Sequence, residues 1–193
     1  AFIEDDRGVS MSYTPWLQDL VPEISLSYLS GFKRLNSKST IAGSMRYFSL
    51  GEIQFTDAQG QFISNFNPNE FTLDGAYSMK LSQNFSTGLA MRYIFSNLTG
   101  GIQVPDAGGA TKPGTSFAVD LSSYFQSKKF DIDDKEAYFA AGFNLSNIGN
   151  KISYTDGGEE HFLPTNARLG ANLFMELDEY NTLSFAFDIN KLL

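Results

Sequence analysis

The sequence has no cysteine, one histidine and one tryptophan in 193 residues. The absence of cysteine excludes a disulfide framework, a thiolate nucleophile and any cysteine-ligated metal. Lys and Arg number 14 against 22 Asp and Glu, which gives a net charge of −8. Because binding to phosphates needs clustered cations, this charge argues against a nucleic-acid partner. We therefore expect neither a cofactor nor nucleic acid.

A long hydrophobic run is also missing. No stretch approaches the ~18 consecutive apolar residues of a membrane helix. The mean hydropathy of −0.20 would usually indicate a soluble protein. Strands of a membrane barrel escape this measure, however, because apolar and polar residues alternate along them and the average hides the apolar face. The first six residues lack the basic start and apolar run of a signal peptide, so we expect that a leader has been removed or that the chain begins later.

The abundant residues are those of β structure: 18 Phe, 9 Tyr and 17 Gly. The clearest pattern is a predicted hairpin over residues 68–97, in which Leu73, Tyr77 and Leu89 alternate with polar side chains. Each of its strands has about a dozen residues. That is longer than the usual five or six, and close to the length that a tilted membrane-crossing strand needs.

The same unit repeats along the chain. Nine strands are predicted, at 8–13, 23–34, 40–53, 68–81, 85–97, 115–126, 137–148, 165–177 and 183–190. Tight turns alternate with long connections, except that the charged turn near residue 131 is intermediate. Outer-membrane barrels have short periplasmic turns and longer external loops, so we predict that the external loops are 14–22, 54–67, 98–114 and 149–164.

Charges in the middle of the strands all fall on the polar side of the alternation: Arg46, Asp74, Arg92, Asp120, Arg168 and Asp188. The predicted fold class is therefore all-β, an antiparallel transmembrane β-barrel, with a soluble β-sandwich as the alternative. Single-chain bacterial barrels have even strand numbers, and unpaired strand edges do not persist in lipid. Nine strands therefore indicate part of a longer barrel, or edges that a partner covers.

Candidate chemistry is sparse. His161 follows Glu159 and Glu160, but three consecutive residues do not converge easily on one ion, and no nucleophile-elbow motif is present. We predict that His161 lies in a solvated external loop. The segment 131–136 lacks the central glycine of a calcium loop and is predicted to be a solvated turn.

Two other features have open interpretations. We predict that the inward charges Arg46, Asp74, Arg92 and Asp120 form a ladder of ion pairs, which would belong either to a polar conduction path or to an internally bonded interior. Apolar residues in the predicted loops are either partner-binding anchors or fold back on the barrel mouth. These candidate partner-binding residues are Trp16, Leu17, Phe62, Ile63, Ile102, Val104 and Pro105.

Four segments resemble the PorV family: SYTPWL at 12–17, YFSLGEI at 47–53, NPNEF at 67–71 and LSNIGNKISY at 145–154. PorV proteins are outer-membrane barrels of the type IX secretion system of Bacteroidetes and are related to the FadL fatty-acid transporters. The segment FLPTNARLG at 162–170 is similar to a strand opening shared by FadL-like barrels. The resemblance extends from about Gly8 to the C-terminus. It implies a FadL-like barrel of about fourteen strands, of which residues 1–193 would be an incomplete, central portion with about nine strands, in one multi-pass outer-membrane domain.

The resemblance also implies a non-enzymatic role. A protein of this kind docks at an SprA-type translocon, binds cargo proteins through their type IX C-terminal signal domain, and delivers them to a PorU-type sortase, all within outer-membrane lipid. An alternative is a FadL-like transporter for hydrophobic solutes. The predicted strand interiors argue against it, because they carry Arg, Asp and Asn rather than an apolar tract. A third possibility is an envelope enzyme acting on lipid, for which His161 is the one candidate base.

Overall fold

The computed structural model describes residues 5–16, 23–56, 59–101 and 111–193. In these ranges no helix is long and apolar enough to cross a membrane. Twelve strands are present in the described ranges: β1 (Arg7–Pro15), β2 (Ile24–Arg34), β3 (Ser39–Leu50), β4 (Ile53–Thr56), β5 (Phe62–Phe66), β6 (Asn69–Lys80), β7 (Phe85–Asn97), β8 (Gly114–Gln126), β9 (Phe130–Ile132), β10 (Lys135–Gly149), β11 (Asn166–Glu176) and β12 (Thr182–Leu192).

Nine of the strands form one antiparallel meander, in the order β1-β2-β3-β6-β7-β8-β10-β11-β12. They correspond to the nine strands predicted from the alternation pattern, and the fold is all-β and antiparallel, as predicted. The sheet is open, since β1 and β12 each pair on one side within the described residues. The soluble sandwich would require a second packed sheet, whereas the other sheet in the described ranges is the two-stranded hairpin β4–β5.

Two predicted connections contain strands. The interval 54–67 was predicted to be a polar loop, but it holds most of the β4–β5 hairpin. The chain leaves β3 at Gly51, whose φ of 82° breaks the extended conformation, so Ile53 opens β4 instead of ending β3. The charged turn near residue 131 contains β9, which pairs with β10. Asp133 and Asp134, with φ of 49° and 59°, supply the two positive φ angles of a type I′ turn.

The tight turns are held by side chains that mimic a backbone turn. In the last of them, the Asp178 carboxylate accepts the N–H groups of Tyr180 and Asn181, each at 2.8 Å. The Asn181 side-chain amide also donates to it, at 2.9 Å. The amide of Asn181, followed by the Tyr180 N–H, lowers the pKa of the Asp178 carboxyl below its ordinary value. Asn36 and Ser82 accept backbone N–H groups in the same way in the other two turns.

The pairing register assigns every side chain to one of two faces, because directly opposed residues point the same way. One face, here the outer face, carries large apolar side chains, many of which are more than 40% exposed. They include Leu73, Tyr77, Leu89 and Phe185, as predicted. The other face lines a hollow of about 460 Å³ that extends across β1, β2, β3, β6 and β7. It also carries Asp74 and Arg92, two of the charges predicted to point inward, so we call it the inner face.

Candidate functional site

Arg92 is the centre of a polar cluster on the inner face. From β7 it donates through Nε to Asp74 of β6 at 2.5 Å and through Nη2 to Asp120 of β8 at 3.1 Å. Its Nη1 donates to the side-chain oxygen of Asn147 of β10 at 2.6 Å. The three charged side chains are only 13% to 21% exposed. Charge-assisted hydrogen bonds of this kind are stronger than neutral ones, so the cluster ties four strands together.

The predicted ladder of inward charges is thus confirmed for Asp74, Arg92 and Asp120. Arg46 does not join it. Its guanidinium lies 5.5 Å from the centre of the Tyr28 ring, on the inner face of the neighbouring strand. Spacing along a single strand identified the inward charges correctly, but only the pairing between strands decides which of them meet.

Asn147 was not singled out from the sequence, although it connects the cluster to a loop. The β8–β10 register shifts between Leu145 and Ile148, and Asn147 within this bulge has φ of 59°. Its backbone N–H donates to Asp120 at 2.8 Å, and its side-chain amide donates to the carbonyl of Pro164 at 3.1 Å. Asn tolerates this left-handed conformation better than most residues, which was the one available signal.

The connection 150–165, here called the inner loop, packs partly against the inner face of the sheet. Ile152 and His161 exchange backbone hydrogen bonds of 2.8 Å, which closes the loop on itself. Ile152 and Leu163 are buried against Ala118 of β8, with Ile94 partly buried beside them. The prediction of a polar, solvated loop is therefore wrong for its apolar residues, because Ile152 and Leu163 cover inner-face residues of the sheet. It holds for the His161 side chain, which is exposed.

A chain of hydroxyl groups continues this packing toward β6. The Tyr154 hydroxyl donates to Ser96 at 3.0 Å, and Ser96 donates to the carboxylate of Glu70 at 2.5 Å. Ser96 is almost completely buried. Of the two interpretations of the inward charges, this part of the inner face fits the internally bonded one.

The inner face of β2 is apolar, which the sequence analysis missed. Tyr28 lies opposite Arg46, and Phe32 lies opposite Ala42, so both aromatic side chains share the face of the charge cluster. Both line the hollow of about 460 Å³. The expectation that the strand interiors lack an apolar tract is therefore wrong for β2. Its apolar residues form one phase of the alternation, and only the register with β3 shows that this phase points inward.

Three of the seven partner-binding candidates, Trp16, Phe62 and Ile63, lie within the described residues, at the end of the sheet where the long connections are. Trp16 is exposed and lines a hollow of about 300 Å³ with Leu26 and Phe48, among others. Phe62 and Ile63 are exposed on β5. The other four candidates, Leu17, Ile102, Val104 and Pro105, lie outside the described residues.

Ionic contacts at the opposite, short-turn end are exposed. Lys129 bonds to Glu136 and to Glu176, the latter at 3.2 Å, and these two bonds raise the pKa of the lysine. Within the described ranges, no group of three or more His, Cys, Asp or Glu side chains is placed to hold a metal ion.

An antiparallel wall with an apolar outer face and charges held on its inner face defines a protein of the outer-membrane β-barrel class. Over residues 1–193 the chain matches the family described as Type IX secretion system protein PorV, and it belongs to that family. It is accordingly an outer-membrane component of the type IX secretion system. A search of curated proteins found no match.

Proposed function

We propose that the chain is a non-enzymatic subunit that docks at the SprA-type translocon, binds the C-terminal signal domains of cargo and delivers the cargo to a PorU-type sortase. Membership of the family supports this role. So does the position of exposed apolar side chains at the end of the sheet where the long, external connections lie. We further propose that residues 1–193 act as one domain, the central portion of a barrel whose remaining strands cover the open edges of β1 and β12.

The β4–β5 hairpin is the observation on which cargo docking rests. Its aromatic residues Phe55 and Phe66 face each other, with ring centroids 6.2 Å apart. A Cβ atom at Gly100 would lie 2.7 Å from the Phe66 ring, so this ring packs closely against the backbone of the next connection. Phe62 and Ile63 remain exposed beside this packed pair. Exposed apolar residues on a supported hairpin are the kind of anchor that a protein partner uses.

The test measures binding of an isolated cargo signal domain to the full-length protein in detergent. The variant Phe62→Ser/Ile63→Ser removes both anchors, and we expect the signal domain to bind at least about tenfold more weakly. The control is Leu35→Ser, because Leu35 is an exposed apolar residue of the short-turn end. Equal binding by both variants would remove the hairpin as the docking site. Failure of the unchanged protein to bind any signal domain would remove the proposed function itself.

The role requires no catalytic group. The remaining enzymatic possibility depends on His161 as a base, and its exposed side chain allows a conservative test. We expect His161→Ala to leave cargo secretion unchanged in cells. A loss of secretion with normal protein levels and an intact inner loop would favour the envelope enzyme instead.

A second candidate function is transport of hydrophobic solutes, which the apolar hollow beside β2 favours. The hollow, with Tyr28, Phe32 and Ala42 in its lining, has a volume within the usual range of ligand pockets. Deletion of the protein separates the two functions. Loss of cargo secretion with normal fatty-acid uptake supports the secretion role, and the reverse result supports transport.

A further inference from the structure

The outer face has a furrow across β2, β3 and β6. Gly31, Gly43 and Gly75 lie directly opposite one another on neighbouring strands, so three adjacent strands lack side chains at the same level. Two residues away along each strand, the next levels of the outer face carry side chains. They are Leu29, Met45 and Leu73 on one side of the furrow, and Lys33, Ile41 and Tyr77 on the other. Two adjoining hollows of about 280 and 380 Å³ occupy the part of the furrow next to β1.

The chain itself does not require these glycines. None of the three has a positive φ, so their backbone conformations are open to other residues. A Cβ atom at Gly75 would meet nothing within 4 Å. At Gly43 it would meet the carbonyl oxygen of Asp74 at 3.5 Å, and at Gly31 that of Gly8 at 3.4 Å, which are ordinary van der Waals distances. The furrow is therefore open to a group from outside the chain, and the medium in contact with an outer face of this class is the membrane.

Two cations lie on β1 and β2, two residues along each strand from the furrow. Arg7 of β1 lies directly opposite Lys33 of β2, and both are exposed. Like charges that face each other across a strand pair are destabilising. Within the part of the chain that is described, neither has a carboxylate at ion-pair distance, and Asp6 pairs with Arg34 instead, at 3.7 Å. An anion bound between Arg7 and Lys33 would offset the repulsion between the two cations.

The position of Arg7 and Lys33 along the strands indicates which class of anion lies within their reach. Arg7 and Lys33 lie near the short-turn end of the sheet, which is periplasmic in outer-membrane barrels. Tyr77 is on the same level of the outer face, and tyrosines are enriched at the level of the lipid headgroups. The furrow lies one level, about 7 Å along the strands, further into the membrane. Cations at headgroup level above an apolar furrow match a lipid with an anionic head and an acyl chain.

We propose that the outer face binds an anionic phospholipid of the periplasmic leaflet. The headgroup phosphate lies between Arg7 and Lys33, and the upper part of one acyl chain lies in the furrow over Gly31 and Gly43. A lipid held in this way acts as part of the outer wall of the protein near its first strands.

The experiment counts lipids retained by the purified full-length protein in native mass spectrometry, with phosphatidylglycerol and phosphatidylcholine offered together. We expect Arg7→Gln/Lys33→Gln to weaken phosphatidylglycerol binding about thirty-fold, since each cation near a membrane surface contributes ~1 kcal/mol. The matched control, Lys38→Gln/Lys191→Gln, removes two charges elsewhere and should bind as the unchanged protein does. Gly43→Leu fills the furrow and should weaken retention of both lipids.

Three results would overturn the proposal. The first is undiminished phosphatidylglycerol binding by the Arg7/Lys33 variant. The second is displacement of the lipid by excess inorganic phosphate, which would show that the cations bind free phosphate. The third is unchanged lipid retention by Gly43→Leu with loss of a co-purifying membrane protein, which would show that the furrow holds a protein. Heat-modifiable migration on SDS gels confirms folding. If the double variant does not fold, the single variants, each expected to bind about fivefold more weakly, provide the same test.

Discussion

The inner face consists of two regions that differ in how their space is filled. Around Arg92 and Ala118, which we call the bonded half, hydrogen bonds and the inner loop cover the inner face. Around Tyr28 and Ala42, the open half, the surface is mostly apolar and lines a hollow of about 460 Å³, which extends as far as Asp74 and Arg92 at the border of the bonded half. The same alternation of residues produces both halves, so alternation does not determine whether an inward face is packed or empty.

What separates the halves is a loop and one bulge. The inner loop packs on β8, because Ile152 and Leu163 need apolar cover and Ala118 leaves room for them. The bulge at Asn147 links this loop to the charge cluster. In the described part of β1–β3 no connection is folded inward in this way, so the aromatic residues of β2 face the hollow.

Breaking the charge cluster should produce the largest difference between the halves. Arg92→Met leaves Asp74 and Asp120 close together without their cation, and we expect a loss of about 3 kcal/mol in the free energy of unfolding. The matched change in the open half, Arg46→Met, loses mainly a cation–π contact, which is about 0.5–1 kcal/mol. Denaturant unfolding in detergent measures both. Equal losses would mean that the cluster does not distinguish the bonded half.

Replacing an inward-facing alanine with leucine in each half tests directly whether there is free space beside it. Ala118→Leu pushes into Ile152 and Leu163 and should destabilise the protein by about 1–3 kcal/mol, as overpacking does. Ala42→Leu projects into the hollow and should change the stability by less than about 0.5 kcal/mol. Thermal unfolding of the two variants provides the comparison. A cost for Ala42→Leu as large as that for Ala118→Leu would contradict the openness of the hollow.

Substitution of Asn147 separates its backbone role from its hydrogen bonds. Asn147→Gly keeps the positive φ available but removes the side-chain bonds to Arg92 and Pro164, and we expect a loss of about 1 kcal/mol. Asn147→Ala loses the same bonds and adds backbone strain, so it should be less stable than the glycine variant. Limited proteolysis of the inner loop reports on both. If the alanine variant matched the glycine variant, the left-handed backbone would contribute nothing.

The smallest effect is expected at the Asp178 turn, which belongs to neither half and serves as a baseline. Because its pKa is lowered in the folded protein, its contribution to stability is present above the ordinary pKa of 3.8 and is lost as the pH falls through the lowered folded value. Asp178→Asn should therefore reduce the pH dependence of unfolding slightly in the acidic range. Glu179→Gln removes a neighbouring charge without these bonds. An identical pH profile for the two variants would contradict the assignment.

Several elements of the fold were predictable because they depend on local pattern. The alternation placed all nine strands of the meander, and polar turn residues such as Asn36 and Asp178 marked the tight connections. The inward position of Asp74, Arg92 and Asp120 followed from the same period of two. The β4–β5 hairpin was not found, since its short strands lack a long alternating run. The type I′ turn of β9 was missed because it uses Asp-Asp where Asn-Gly is the usual signal.

The candidate site was only partly predictable. Trp16, Phe62 and Ile63 were recognised as apolar residues in connections, and their exposure agrees with that. The apolar inner face of β2 was missed, because alternation along one strand does not reveal which of its two phases faces inward.

The sequence by itself determined an antiparallel all-β wall, the number of its long strands and the shared face of Asp74, Arg92 and Asp120, since side chains alternate between the two faces along a strand. Only the tertiary structure decided that Arg92 joins two carboxylates and an amide, that the inner loop packs on Ala118, and that the aromatic residues of β2 line a hollow. Each of these depends on register between strands or on the path of a loop, and both arise from contacts between residues that lie far apart in the chain.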